Sequence, residues 1–286
     1  MSKALERRPV KPSEITLINQ QYLSQPTRAD PTMVWGADVD AEEMCRRIAR
    51  LNESSGPLIS VAHVLIQAVA RGLARFPQIN CRIVRGRIFR FREVNVRMIN
   101  YNPRAADVDI LTIRQADRLS LEDIAQNLWS NQLAIAAGRH RDGGDKSWLN
   151  WGPSITRRWG SRLFWWLDRN LRLPRLGRID SHLDSAVVVN YLGFPGAPSM
   201  KTYKPSKFPD ESSLLSVTMG RIDQRPAVSG GQIVARRMAP LFVRADHRIT
   251  DAYTLGRFVA AVGDALAVPQ TMETRSGNAS HARHAA

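Results

Sequence analysis

The chain has 286 residues, of which 43% are hydrophobic, and it carries a formal net charge of +15 at pH 7. This length allows one large domain or two small ones, and the charge favours anionic partners such as phosphate-bearing cofactors, acidic carrier proteins, nucleic acid or anionic membranes. The two cysteines, Cys45 and Cys81, exclude a disulfide framework and fit a reducing compartment. The sequence shows neither the apolar segment of a signal peptide nor an apolar run of the roughly 18 residues that a spanning helix needs.

The first half of the chain predicts a basic arm followed by helices and strands. Residues 1–30 form the arm, and a helix is predicted over 13–25 with Ser13 as its N-cap. Beyond the arm, alternation of apolar and polar residues predicts strands at 31–40, 81–100 (with a turn at Arg85-Gly86) and 108–117, and helical periodicity predicts helices at 41–56, 59–77 and 120–138. Ser120 is the predicted N-cap of the last of these helices, with Asp123 as the third helical residue.

Residues 139–180 differ in composition from the rest of the chain. Five of the seven tryptophans lie there, and ten basic residues against three aspartates give residues 139–178 a net charge of +7. A helix over 155–173 is predicted to gather its apolar side chains on one face. This segment, called the insertion below, has three interpretations: a helix packed on the core or on a neighbouring subunit, a docking surface for a carrier protein or another partner, or a membrane contact through 148–173.

The last part of the chain predicts strands at 185–196 and 213–248, a helix at 254–266, and a disordered tail at 269–286. Helices alternate with strands, and several strands follow one another as hairpins. The chain therefore predicts a mixed α/β fold built on a mixed or largely antiparallel sheet.

The stretch "RADHRITDAY" places His247 between a predicted strand and a predicted helix, with Asp251 four residues later. Histidine is the side chain best able to take and return a proton near neutral pH, and a strand end is a place from which it can reach a cleft. The pair alone is a weak signal, because structural pairs with this spacing are common. Arg248 is interpreted as a solvated charge.

The neighbouring residues make the pattern more specific. The run "FVRADHRITDA" resembles the D-H-R-x-x-D-G signature of the catalytic domain of 2-oxoacid dehydrogenase acyltransferases (E2). The stretches "ISVAHVLIQAVARGLARFPQIN", "TIRQADRLSLEDIA" and "NYLGFPG" are similar to segments of the same domain, in the same order. The resemblance covers about 31–138 and 185–268.

The resemblance implies a chloramphenicol acetyltransferase-like two-layer sandwich with a mixed sheet, spanning 31–268 and assembled as a homotrimer with active sites at subunit interfaces. It assigns His247 as the general base and Asp251 as the residue that orders the loop, through an arginine. Asn190 stands where the family has an oxyanion-binding serine, about one strand from the histidine loop. Ala252 replaces the signature glycine, and it would be strained if the backbone there required a positive φ.

The resemblance implies a stand-alone acyltransferase that moves an acyl group between a thioester, on CoA, a carrier protein or a lipoyl group, and an acceptor nucleophile. We expect the thioester to be a co-substrate, with no tightly bound cofactor, no metal and no lipoyl domain in this chain. The expected partners are an acidic carrier protein or a lipoyl domain in trans, with a cytoplasmic location and a membrane contact through 148–173 as a further option. Nucleic acid is not expected, because no binding module accompanies the charge. The rival hypotheses are a non-catalytic E2-derived scaffold and a partner- or membrane-binding module.

Overall fold

The computed structural model describes residues 6, 8–16, 23, 32–54, 56–84, 86–102, 107–137, 159, 163, 185–194, 196 and 214–267. Within these residues no helix combines the length and the apolar character needed to cross a membrane. In chain order the elements are a 3-10 helix (Pro12–Glu14), β1 (Thr32–Asp40), α1 (Glu42–Asn52), α2 (Val61–Arg75), β2 (Cys81–Val84), β3 (Arg87–Arg90), β4 (Val96–Asn102), β5 (Asp107–Ile113), α3 (Leu121–Ala136), β6 (Val187–Tyr191), β7 (Leu215–Met219), β8 (Asp223–Ser229), β9 (Gln232–Asp246) and α4 (Ala252–Ala267).

The predicted strands and helices are confirmed from β1 to α4, except where the prediction falls on residues outside the described ranges. The cap assigned to Ser13 is wrong, because Ser13 lies inside the 3-10 helix that begins at Pro12. Proline already holds the φ angle of a helical first turn, so it begins the turn one residue earlier. Most of the arm helix, most of the 139–180 insertion and the tail lie outside the described residues.

Among the described residues the main sheet has seven strands in the order β1-β9-β7-β6-β4-β5, and β8 pairs with β9 off this path. The β4–β6 and β6–β7 pairs are parallel and the other pairs are antiparallel, so the predicted mixed sheet is confirmed. The β8–β9 hairpin turns through Gly230 and Gly231, whose φ angles of 59° and 80° suit glycine. A separate hairpin, β2–β3, makes the second sheet.

The described helices cover one face of the main sheet. Val187 and Val189 of β6 point into the core shared with the helices, while Val188 and Asn190 alternate to the other face and are only partly buried. Gly72 lets α2 approach α4 closely, since a Cβ there would lie 2.9 Å from the ring of Phe258. Where β4 and β5 continue this second face, Arg97 and Thr112 are 2% and 5% exposed, so the face is covered there and only partly buried along β6.

Helix α2 begins with a cap that contains a histidine. The backbone N–H of Ser60 donates to Nδ1 of His63 at 2.9 Å, and His63 is 7% exposed. Burial lowers the pKa of His63 from 6.5 to about 4. The folded protein therefore holds this imidazole neutral, as a hydrogen-bond acceptor, at pH values where the unfolded chain binds a proton.

We expect the free energy of unfolding to fall as pH drops from 6.5 towards 4, because only the unfolded chain gains a proton at His63 over that range. The loss at the acid end amounts to about 3 kcal/mol. Urea unfolding between pH 7 and pH 4 measures it. His63→Gln keeps a side-chain acceptor but does not titrate, so its stability should depend less on pH. An equal loss in both proteins would assign the acid sensitivity to other groups.

Candidate active site

His247 follows the last residue of β9 and occupies the first corner of a reverse turn. The turn is closed by the Ile249 N–H, which donates to the Asp246 carbonyl at 3.1 Å, and the Asp246 N–H donates to the Leu214 carbonyl at 3.0 Å. The His247 side chain is half-buried and its Nδ1 atom is buried. The backbone position of His247 at the end of β9 is thus well defined.

Asp246 and Arg248 form a buried ion pair on either side of His247. The Asp246 carboxylate accepts hydrogen bonds from the Arg248 backbone N–H at 2.8 Å, from Nε at 3.0 Å and from Nη2 at 2.6 Å. The two side chains are 11% and 7% exposed, respectively. The interpretation of Arg248 as a solvated charge is therefore wrong. An aspartate two residues before an arginine at the end of a predicted strand is the signal that could have found this pair.

Asp251 caps helix α4. Its Oδ1 accepts the Thr254 backbone N–H at 2.7 Å and its Oδ2 accepts the Thr254 hydroxyl at 3.2 Å. Both bonds satisfy groups at the start of the helix, as an N-cap residue does. Asp251 orders the end of the loop in this way, and the expected arginine contact does not occur within the described residues.

Ala252 is not strained, contrary to the concern raised by the missing glycine. Gln115 is the one non-glycine residue with a positive φ in the described part of the chain. Ala252 is already the first residue of α4, where a helical backbone suits alanine.

Asn190 lies far from His247 within one chain. It pairs with Thr218 of β7, which pairs with Phe242 of β9. His247 lies five residues beyond Phe242, and that is about 16 Å along the strand in addition to two strand spacings of about 4.8 Å each. The expectation that Asn190 lies one strand from the histidine loop is therefore wrong. The order of β9, β7 and β6 separates the two side chains, so a single chain does not bring them together.

A cleft of about 110 Å³ lies beside the turn that carries His247. The arm forms one wall, because Val10 donates its N–H to the Ile88 carbonyl at 2.8 Å and so follows the edge of β3. The polar groups that line the cleft come from the arm, the loop after α2, β3, the loop after β9 and α4: Glu14, Thr16, Gln78, Arg90, Thr250, Asp251 and Thr254. The sequence pattern did not predict that the arm contributes to this wall.

A cationic and aromatic surface lies next to the loop, at the start of α4. The Arg257 guanidinium stacks over the rings of Tyr253 and Phe76, at 5.6 and 5.8 Å from their centroids, and Arg75 lies over Phe76 at 5.9 Å. Tyr253 is 74% exposed. Stacking holds the two exposed arginines in place while their N–H groups remain able to bind an anion. We call Arg75, Tyr253 and Arg257 the arginine surface.

The chain is similar to known proteins in a family match, in sequence and in fold. The family described as 2-oxoacid dehydrogenases acyltransferase (catalytic domain) matches residues 6–141 and 209–274. A curated relative, the dihydrolipoyllysine-residue acetyltransferase component of the pyruvate dehydrogenase complex of Mycoplasma capricolum, is 25% identical over 218 residues. This alignment covers 76% of the chain, which spans 40% of the length of that relative. Asn190 lies in the stretch that the family match leaves out.

Solved structures share the fold. A probable dihydrolipoamide acetyltransferase from Listeria monocytogenes has a TM-score of 0.62 at 17% identity, covering 95% of this chain and 97% of its own. The dihydrolipoamide acetyltransferase of Azotobacter vinelandii has a TM-score of 0.61 at 16% identity, covering 89% of this chain and 87% of its own.

Proposed function

Because the chain belongs to the 2-oxoacid dehydrogenases acyltransferase (catalytic domain) family, we propose that it transfers an acyl group between a thioester and an acceptor nucleophile. Family membership confirms the predicted relationship, and the fold of the related structures confirms the predicted mixed α/β class. The observation that carries the proposal is the turn at the end of β9, which holds His247 between the buried side chains of Asp246 and Arg248.

In the proposed reaction, His247 takes the proton of the acceptor thiol, hydroxyl or amine as that group attacks the thioester carbonyl. The carbonyl π electrons move to oxygen, which becomes the oxyanion of a tetrahedral intermediate. The intermediate then expels a thiolate, which takes the proton back from His247. In the Azotobacter vinelandii enzyme, a serine, a histidine and an asparagine four positions after that histidine were investigated for roles in catalysis. His247 and Asp251 have the same spacing.

Asn190 is the proposed donor to the oxyanion, through its side-chain N–H. Loss of one such donor costs roughly 3 kcal/mol of transition-state stabilisation in characterised acyl transfer enzymes. Since Asn190 and His247 lie apart in one chain, the proposal requires His247 of one subunit and Asn190 of a neighbour. The Asn190 side chain is only partly buried within its own chain, which supports such an assembly, and we propose a homotrimer. One related structure is that of the cubic core of a pyruvate dehydrogenase multienzyme complex.

The function is tested by chromatography that follows the loss of acetyl-CoA or acetyl-dihydrolipoamide and the formation of the acetylated acceptor, with a panel of thiol, alcohol and amine acceptors. Turnover with at least one pair is the expected result. No turnover with any pair would favour the non-catalytic scaffold.

The arginine surface supports an anionic donor or partner: CoA, an acidic carrier protein or a lipoyl domain in trans. We expect the double variant Arg75→Glu/Arg257→Glu to raise KM for acetyl-CoA about tenfold, because charge-assisted hydrogen bonds to phosphate are lost. KM for the neutral thioester S-acetyl-N-acetylcysteamine should change little. Arg46→Glu, a charge reversal at another exposed arginine, on α1, is the control. An equal rise in KM for both thioesters would show that the arginines do not bind the phosphate groups.

Within the insertion, Trp159 and Leu163 are helical and are 64% and 57% exposed. Their spacing of four residues places them on one helical face, as predicted. Their exposure supports a surface role for these two side chains over packing on the core of their own chain. We propose that the insertion contacts a partner, a neighbouring subunit or a membrane through 148–173.

A further inference from the structure

We propose that the Asp246–Arg248 ion pair is a positioning device for His247, an inference that rests on the acyltransferase function proposed above. Neither residue touches the reacting atoms in this proposal. They act through the backbone on both sides of the imidazole.

The contacts fix the backbone before and after His247. Asp246 is held by the Leu214 carbonyl through its N–H and by the Ile249 N–H through its carbonyl. Its carboxylate also binds both the backbone N–H and the guanidinium of Arg248. Rotation of the turn would therefore break a hydrogen-bonded ion pair that is almost wholly out of water, and such a break is strongly unfavourable. The backbone position from which the imidazole extends is therefore fixed.

Positioning matters for this reaction because proton transfer needs the base within hydrogen-bond reach of the acceptor. A displacement of about 1 Å can cost on the order of 100-fold in rate. An ion pair that only stabilises the fold would not have this effect on rate. A variant that keeps the protein stable while it removes the pair therefore distinguishes positioning of His247 from stabilisation.

The double variant Asp246→Leu/Arg248→Met removes both charges together. Replacing a whole buried ion pair with apolar side chains of similar volume is often neutral or stabilising, whereas removing one partner leaves an unpaired charge. We expect this variant to fold and to lose kcat by about 100-fold, with little change in KM. Arg248→Lys keeps the charge but loses the planar guanidinium. Its kcat should lie between that of the double variant and that of the wild type.

A matched control exists in the same chain. Arg221 and Asp223 are also two residues apart, with Nε and Oδ1 at 2.6 Å, but they lie at the start of β8. The double variant Arg221→Met/Asp223→Leu should keep wild-type kcat. A folded Asp246→Leu/Arg248→Met protein with wild-type kcat would overturn the proposal.

Amide hydrogen exchange tests whether the Asp246–Arg248 ion pair holds the turn, and it does not depend on enzymatic activity. The Ile249 amide donates to the backbone carbonyl of Asp246, an acceptor that the double variant keeps, so it should exchange about tenfold faster there if the pair holds the turn. Unchanged exchange at this amide would overturn the proposal. If the wild type turns over no thioester, the proposed function fails, while the exchange result still decides whether the pair holds the turn.

Discussion

His247→Ala is expected to lower the turnover of an acyl thioester on the order of 1,000-fold, because the acceptor then loses the group that takes its proton. The imidazole follows β9 directly and is only half-buried, so its removal leaves the strand pairing of β9 intact. Steady-state assays with the thioester and acceptor that the wild type uses will measure the loss.

The matched control for this variant is His63→Gln, which removes a buried histidine on α2. It should keep wild-type turnover at pH 7, because His63 caps a helix and is not part of the proposed chemistry. Circular dichroism and light scattering should show that His247→Ala keeps its fold and its mass. Near wild-type turnover of a folded His247→Ala protein would mean that another group is the base.

The local features of this fold could be predicted from local sequence. The capping box of α3 is an example, because the Asp123 N–H donates to the Ser120 hydroxyl at 3.0 Å and the Ser120 N–H donates to the Asp123 carboxylate at 3.2 Å. The two groups are three residues apart, so a short pattern contains the whole interaction. The same holds for the glycine turn between β8 and β9.

The features that the sequence did not give depend on non-local pairing or on burial. The sequence shows that Arg248 is charged, but only the folded turn shows that its side chain is buried and paired with Asp246. The distance between Asn190 and His247 depends on the order β9-β7-β6, in which β7 separates the strand that carries Asn190 from the strand that precedes His247. Side-chain periodicity specifies the face of a strand but not its neighbours.

Asn190→Ala is expected to lower kcat by roughly ten- to a thousand-fold with little change in KM, because an oxyanion donor acts mainly in the transition state. Asn190→Ser should keep more activity than Asn190→Ala, since a hydroxyl can also donate. Steady-state kinetics on the three proteins will measure both effects. Equal rates for the wild type and Asn190→Ala would show that other donors, such as backbone N–H groups, hold the oxyanion.

The separation of Asn190 and His247 in one chain leads to a stronger test. If each site combines His247 of one subunit with Asn190 of a neighbour, two impaired variants can complement each other. An Asn190→Ala subunit supplies His247 and a His247→Ala subunit supplies Asn190. Random reassembly of equal amounts should restore about a quarter of the wild-type sites, because each of the two required subunits occupies its place half of the time.

Mixing the two purified variants after reversible dissociation, followed by activity assay and light scattering, measures this recovery. The mass should correspond to three chains or a multiple of three. A site built within one chain predicts no recovery, because neither variant then contains a complete site. A monomer at micromolar concentration would exclude the shared site even if the wild type is active. Recovery near one quarter would require both side chains to act together across an interface, since neither variant chain carries the two of them.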